Sequence, residues 1–488
     1  MSAQSLTFKT LLLASGKILA AFSTVGITAI LTRVLSIEDY ATHKQALLIY
    51  AMCAPALMLG LPKALYFFLP GETERPRAYL LNNIILLFAM GSIFCVSVSL
   101  GAGDFFAGHF NNERLRELAP IVGVYGLAML PMAAFSACMM ATDRVATIVR
   151  FQVLSQLALV GVVATAAGLY GTPEATISGY ATWALCAMLI SVVLMLAATR
   201  GGSDARPSWA GMKTQLSYGI PLGLASMFGA LSTQIDKFMV SVMCSQEDFA
   251  IYVTGALELP LIGVVTGAMN AVVLPELAKF FKAGQLDKIV ALWQRAMNKA
   301  ILILAPAMFT VLLLGPEIMS TLFSSTYEAA SEPFRIYALS LPARAAVFGS
   351  VLMATDRTRW VTVAAILGLT LNASLNVLFV MWFGASGAAW ASVLTTYLVV
   401  IYMTFPMCRA LNCNLRELIS WGHLGQVITA SAVPALALYL ARDYIVLSPL
   451  MTIITVGCVY GLLVAIAYRL AGITTLSEVL NFLRKRDS

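Results

Sequence analysis

Charged residues are scarce in this chain. Asp, Glu, Lys and Arg make up 11% of its 488 residues, where an ordinary soluble domain carries about 25%. Histidine is scarcer still: His43, His109 and His423 are scattered and form no motif. No long hydrophilic loop exists to house an extramembrane active site. The longest polar segment lies near 276–297 and reads as a basic amphipathic cytoplasmic helix. No Walker A sequence or other phosphate loop is present, which argues against direct use of ATP. The eight cysteines follow neither metal-ligand nor disulfide spacing and read as packing residues, so no metal and no cofactor is expected. These absences weigh against a membrane glycosyltransferase or polymerase, which needs catalytic carboxylates or histidines.

Apolar residues are abundant instead. They form 60% of the chain, and the mean hydropathy is +0.85. Apolar runs long enough to cross hydrocarbon recur from end to end. They lie near 8–32, 42–68, 79–103, 119–141, 150–170, 176–199, 215–241, 249–275, 298–323, 334–354, 360–382, 387–409, 419–441 and 449–471. The expectation is an all-α polytopic membrane protein of about fourteen spans. The first run is too long for a signal-peptide core and another span follows at once, so it is expected to stay in the mature protein.

Orientation follows from Lys and Arg in the loops. With a cytoplasmic N-terminus, 21 basic residues fall on inner loops and tails, 6 on the outer side and 4 inside spans. Both termini are therefore expected in the cytoplasm. The net charge of +7 is a topology signal. No basic stripe interleaved with aromatics appears, so no nucleic-acid partner is expected.

Short peptides recur in order. Ser36-Ile-Glu-Asp-Tyr-Ala41 has a partner in Ser245-Gln-Glu-Asp-Phe-Ala250, at an offset of 245 − 36 = 209. MATDR occurs at Met140–Arg144 and Met353–Arg357, at an offset of 353 − 140 = 213. Between them, Tyr125-Gly-Leu-Ala-Met-Leu-Pro131 resembles Tyr337-Ala-Leu-Ser-Leu-Pro342. Matches in one order at nearly one offset mark an internal duplication. The copies lie six spans apart, an even number, so the halves share one orientation and an axis along the membrane normal. The expected division is an N-lobe over 1–200 (spans 1–6), a C-lobe over 201–410 (spans 7–12), and two extra spans with a basic tail over 411–488. MATDR itself reads as structural, its Arg suiting a cytoplasmic helix end and its Thr-Asp able to cap the next helix.

Several stretches resemble the polysaccharide transporter branch of the multidrug/oligosaccharidyl-lipid/polysaccharide exporter superfamily, the O-antigen-type lipid-linked oligosaccharide flippases. They are Leu31-Thr-Arg-Val-Leu-Ser-Ile-Glu-Asp-Tyr40, Gly60-Leu-Pro-Lys-Ala-Leu65, Tyr218-Gly-Ile-Pro221, Gln234-Ile-Asp-Lys-Phe238, Leu322-Phe-Ser-Ser-Thr-Tyr327 and Gly384-Ala-Ser-Gly-Ala-Ala-Trp390. Their order and spacing cover nearly the whole chain. The resemblance implies a bilobed inner-membrane flippase for polyprenyl-pyrophosphate-linked sugars, working with membrane lipids and other glycan-assembly proteins.

Ionisable residues inside spans are the site candidates, because each costs at least ~2.5–3.5 kcal/mol at a lipid-facing centre. Lys17 sits roughly 14 Å deep in span 1 at 1.5 Å per residue, a depth that strains snorkelling. Lys63 lies near the inner end of span 2, where snorkelling competes with a cavity role. Arg344 sits mid-span two residues after Pro342, and Glu258 two residues before Pro260. Glu258 and Arg344 read either as a buried ion pair or as a proton or cation relay and an anion contact. Asp236 and Lys237 match an acidic–basic pair common in the family; adjacent residues point about 100° apart, so at most one faces the cavity. Asp236 joins Glu258 as a coupling candidate for H+ or Na+. Arg33, Lys44 and Lys237 are expected at the outer mouth or interface, and Pro221, Pro260 and Pro342 as hinges. Lys17, Lys63 and Arg344 would compensate a pyrophosphate; Tyr218, Trp360, Trp382 and Trp390 read either as stacking platforms for sugars or, like most aromatics near span ends, as interface belt. The alternatives are a cation-coupled drug antiporter of the same superfamily and, behind it, a glycan-processing enzyme. Drug-exporting relatives resemble one another in a first-lobe carboxylate; span 1 here offers Lys17.

Overall fold

A computed structural model describes residues 3–201, 206–257, 260–346, 348–444 and 447–473. Those residues are helical apart from short turns and connections, with no strand among them. The first half runs α1 (Ala3–Val34), α2 (Ile37–Leu57), α3 (Leu61–Phe68), α4 (Pro76–Ser97), α5 (Gly103–His109), α6 (Arg114–Met132), α7 (Phe135–Ala141), α8 (Val145–Tyr170) and α9 (Pro173–Ala198). The second opens with α10 (Trp209–Ser232), α11 (Ile235–Met243), α12 (Gln246–Gly255), α13 (Pro260–Lys282) and α14 (Leu286–Phe323). It continues with α15 (Ser331–Ala338), α16 (Leu341–Arg344), α17 (Phe348–Ala354), α18 (Thr358–Phe383) and α19 (Ala385–Leu411). The chain then forms α20 (Leu415–Leu418), α21 (Trp421–Leu440) and α22 (Pro449–Leu470).

Among the described residues, nine helical stretches are long and apolar enough to span a membrane, or up to eleven if two bent pairs count as one span each. The chain is a multi-pass membrane protein. Every apolar run of the sequence falls on one helix or on helices separated by a short break. The breaks have local causes. Leu59 (φ +47) and Gly60 (φ +68) turn left-handed between α2 and α3, and Pro62 sits in the first turn of α3, which bends the span by 43°. The amphipathic helix expected over 276–297 is not a separate element. α13 ends at Lys282, Gly284 turns at φ +70, and α14 then continues for 38 residues into the apolar span. Ile289, Trp293, Met297 and Ala300 are buried at helical spacing, so one face carries the helix across the boundary without a stop.

The repeated peptides build the same local geometry twice. Ser36 caps α2: its Oγ accepts from the Asp39 N–H at 3.1 Å and donates to Asp39 Oδ2 at 2.7 Å. Ser245 does the same with Asp248, at 3.1 and 2.7 Å. In both MATDR copies the Asp is left-handed, Asp143 at φ +59 and Asp356 at φ +56. The following Arg N–H closes onto the carbonyl five residues back, Arg144 to Met139 and Arg357 to Leu352, each at 2.8 Å. That is a Schellman stop. The expected role of Thr-Asp as a cap for the next helix is therefore corrected. Thr142 and Thr355 donate backwards, to Cys138 and Val351 carbonyls at 2.9 Å, and the motif ends the helix before it.

Packing gathers the helices into two compact units, Met1–Val253 with Ala365–Ala388, and Thr254–Ala364 with Ala389–Ser488. These units group helices by contact, whereas the division at 200 and 410 is a relation within the sequence; that division stands as our proposal.

Candidate functional site

The first unit contains a seam that the family-like stretches build together. At the α2–α3 bend the backbone of Gly60 lies directly on α10. A Cβ added at Gly60 would sit 2.1 Å from the Gly219 carbonyl oxygen; one at Gly223 would sit 2.5 Å from the Gly60 nitrogen. Three glycines thus let two backbones touch with no side chain between them, the kind of close approach that membrane helices obtain from small residues. Buried carboxamides fasten the same region. Asn83 donates to the Leu61 carbonyl and to Gln215 Oε1, both at 2.8 Å. Gln215 donates to the Tyr79 carbonyl at 2.7 Å, and Asn82 accepts from the Ser208 N–H at 2.8 Å.

One side of the seam is open and carries the chemistry. Lys63 is exposed and donates to the Ser226 hydroxyl. One turn further along α3, Phe67 is also exposed and stacks on Tyr218, with ring centroids 4.6 Å apart. A cation and a stacked aromatic pair on one open face suit a phosphate joined to a sugar.

The C-terminal end of α11 and the start of α12 are tied to the same unit. Gln45 donates to Ser241 at 2.9 Å and accepts from Asn112 at 2.7 Å. Gln246 donates to the Asn111 carbonyl at 3.2 Å.

A second polar cluster lies where α10 breaks into α11. Asp236 is buried and accepts from the Tyr252 hydroxyl at 2.9 Å. Asn372 on α18 donates to the Ser232 carbonyl at 3.1 Å, one turn before Asp236. Asn376 is wholly buried and donates to the Asn372 carbonyl at 2.8 Å, while its own Oδ1 has no hydrogen-bond partner. A carboxylate and carboxamide oxygens are hard donors of the kind that hold a small cation. No cluster of three or more His, Cys, Asp or Glu with metal-binding geometry occurs among the described residues.

The other sequence candidates are dispersed. Lys17 is placed on α1 by its backbone. Glu258 lies outside the described residues, so its pairing with Arg344 does too; Arg344 is half-buried at the end of α16. Lys237 is half-buried beside Asp236. Arg33 is exposed and donates to the Ala29 carbonyl at 2.9 Å. Lys44 is half-buried, 3.3 Å from the Thr28 hydroxyl and over the Tyr40 ring. Pro221 lies inside α10, Pro260 opens α13 and Pro342 lies in the first turn of α16. Sequence reasoning weighed ionisable groups, prolines and aromatics but not carboxamides, and so missed Asn82, Asn83, Gln215, Asn372 and Asn376. Two signals were there to read: adjacent asparagines in one apolar run, and a pair spaced i,i+4 in another.

Comparison with known proteins agrees with this architecture. The family profile described as "Lipid II flippase MurJ" matches residues 152–456, and that described as "Polysaccharide biosynthesis protein" matches 6–281. The "Probable lipid II flippase MurJ" of Rhizobium meliloti is 24% identical over 291 residues, 57% of this chain and 54% of that protein. The "Probable low-salt glycan biosynthesis flippase Agl15" of Haloferax volcanii is 22% identical over 192 residues, 39% of this chain and 41% of that protein. The chain thus spans about half the length of these relatives. Among solved structures, "Lipid II flippase MurJ, inward closed conformation" superposes with a TM-score of 0.72 at 15% identity, covering 95% of this chain and 99% of that one. A multidrug resistance MATE family transporter of the MOP superfamily, in an inward-facing conformation, gives 0.59 at 13% identity over 84% and 95%. At these identities the likeness shows the fold. Each of the two profiles matches more than half of the sequence, and the chain belongs to the lipid II flippase MurJ and polysaccharide biosynthesis protein families of the multidrug/oligosaccharidyl-lipid/polysaccharide exporter superfamily.

Proposed function

We propose that the protein is a flippase, not an enzyme, which moves a polyprenyl-pyrophosphate-linked oligosaccharide from the cytoplasmic to the outer leaflet of a bacterial inner membrane by alternating access. The substrate is an O-antigen or exopolysaccharide repeat unit. The observation that carries the reading is the sign of charge on the first two spans. Lys17 and Lys63 lie there, and between the N-terminus and Ile37, and again from Tyr40 to Gly71, the sequence holds no Asp or Glu. A pyrophosphate crossing the bilayer needs cations in a wet cavity, while a drug cation needs the opposite. Lys63, Phe67 and Tyr218 would receive the head group, Lys17 and Arg344 would accompany the pyrophosphate, and Asp236 or Glu258 would couple the cycle to H+ or Na+. A second reading, a peptidoglycan precursor, is favoured by the profile match over 152–456.

Deleting the gene distinguishes the two. Loss of a surface glycan with accumulation of its lipid-linked unit supports the first; arrested wall synthesis supports the second. Complementation then tests the site. Lys17→Arg is expected to keep much of the export because a compact positive charge suffices for a diphosphate. Lys17→Ala should lose most of it, and Lys17→Glu more, at matched protein levels. Glycan export by Lys17→Glu equal to wild type would remove Lys17 from the path.

The 21-to-6 basic split supports a topology with both termini in the cytoplasm. Single cysteines at Ser36 and Ser245 are expected to react with an impermeant maleimide in intact spheroplasts. Labelling at Thr142 or Thr355 instead would invert the topology.

A further inference from the structure

The second unit holds a cavity of about 430 Å³ at one end of α14, α21 and α22, within the size range of small-ligand sites. Its chemistry is layered. Leu313, Leu314, Leu438 and Val456 form an apolar floor. Above it, Glu317 pairs with Arg442, the Glu317 side chain only 13% exposed. Gly315 leaves room for the Arg335 side chain, which a Cβ there would meet at 3.0 Å. The Nε and Nη2 of Arg335 are shut from solvent without a hydrogen-bond partner. Arg335 packs behind this layer rather than lining the cavity, so the region holds two guanidinium groups against one carboxylate. The rim reverses the sign: Glu328 and Asp443 are exposed carboxylates without an ion-pair partner among the described residues. Beside the mouth, Leu447, Leu450, Met451 and Ile454 are all about half exposed, an apolar apron open to the bilayer.

We propose that this cavity binds an aminophospholipid, a phosphodiester with a primary ammonium group. The order of layers is the order of groups in such a lipid. Its acyl chain would lie on the leucine floor and apron, its phosphate at the Arg442 level, where the second guanidinium leaves positive charge uncompensated. Its ammonium would reach the rim, where Glu328 and Asp443 accept N–H bonds. An anionic lipid would offer the two carboxylates only neutral hydroxyl donors, without the ammonium's positive charge. A choline lipid has no N–H to donate to them. The outer-face position follows the charge-derived orientation, but the binding chemistry holds at either face and does not depend on what the protein transports.

The test uses the full-length protein, delipidated in detergent and titrated with phosphatidylethanolamine, phosphatidylcholine or phosphatidylglycerol. Retained lipid is read by native mass spectrometry and melting temperature in parallel. Phosphatidylethanolamine should be held about tenfold more tightly than phosphatidylglycerol and raise the melting temperature, with phosphatidylcholine between them. The double variant Glu328→Gln/Asp443→Asn changes only exposed side chains and leaves the Glu317–Arg442 pair intact, so it should fold normally and bring the three lipids to near parity. Two results would each overturn the proposal: phosphatidylglycerol bound as tightly as phosphatidylethanolamine by the wild type, or an undiminished ethanolamine preference in the double variant.

Discussion

Replacing Gly60 with valine is expected to cut glycan export at least about tenfold while the chain still inserts into the membrane. Two costs coincide at this position. The residue sits at φ +68, where a β-branched side chain is strained by about 1–3 kcal/mol, and its Cβ would press to 2.1 Å from the Gly219 oxygen. Two companion variants separate them. Gly71 has φ +77 but open space around it, so Gly71→Val carries the strain alone and should keep most activity. Gly223 has helical backbone and only the close contact, 2.5 Å from the Gly60 nitrogen. Alanine normally helps a helix by roughly 1 kcal/mol over glycine, yet Gly223→Ala should lower the melting temperature and export nearly as much as Gly60→Val. A Gly223→Ala protein as stable and active as wild type would mean that the seam does not matter.

Asp236→Asn should have the second large effect. The side chain is 4% exposed, and asparagine keeps its size and its bond from Tyr252 while removing the charge. In proteoliposomes under an imposed H+ or Na+ gradient, wild-type transport should rise about tenfold with one of them, and the variant should show no response. Tyr252→Phe removes one hydrogen bond, worth about 0.5–1.5 kcal/mol, and should slow transport only a few-fold. A gradient response that survives Asp236→Asn would pass the coupling role to Glu258.

Much of this architecture could be read without coordinates, for identifiable reasons. Hydrocarbon demands apolar runs of a fixed length, so the helices stand out in hydropathy. The repeated peptides were short enough to doubt, but each copy makes one hydrogen-bonded turn, and the geometry of Ser36–Asp39 returns at Ser245–Asp248. What stayed hidden depends on distance along the chain. Gly60 and Gly223 are ordinary glycines in membrane helices until the fold sets them face to face. Asn83 reads as a stray polar residue until Gln215 is beside it. The break between α10 and α11 spans only Thr233 and Gln234, too few polar residues to interrupt the apolar run of span 7. Charge made Lys63 visible as a candidate, whereas the aromatic partner of its site comes from a helix some 150 residues later.

The carboxamide clasp has a further consequence for how the chain is made. Asn82 and Asn83 enter the bilayer with α4, yet their partners Ser208 and Gln215 lie 126 and 132 residues downstream. At roughly 5–20 residues per second of synthesis, that leaves a gap of about 7–26 s. During that interval Asn82 lacks the Ser208 N–H, and Asn83 has the Leu61 carbonyl but not Gln215, so the clasp is half made. The clasp is therefore completed only once α10 has been made. A fragment ending ahead of Ser208 would keep the packing of α3 on α4 and α7 but leave the clasp half made.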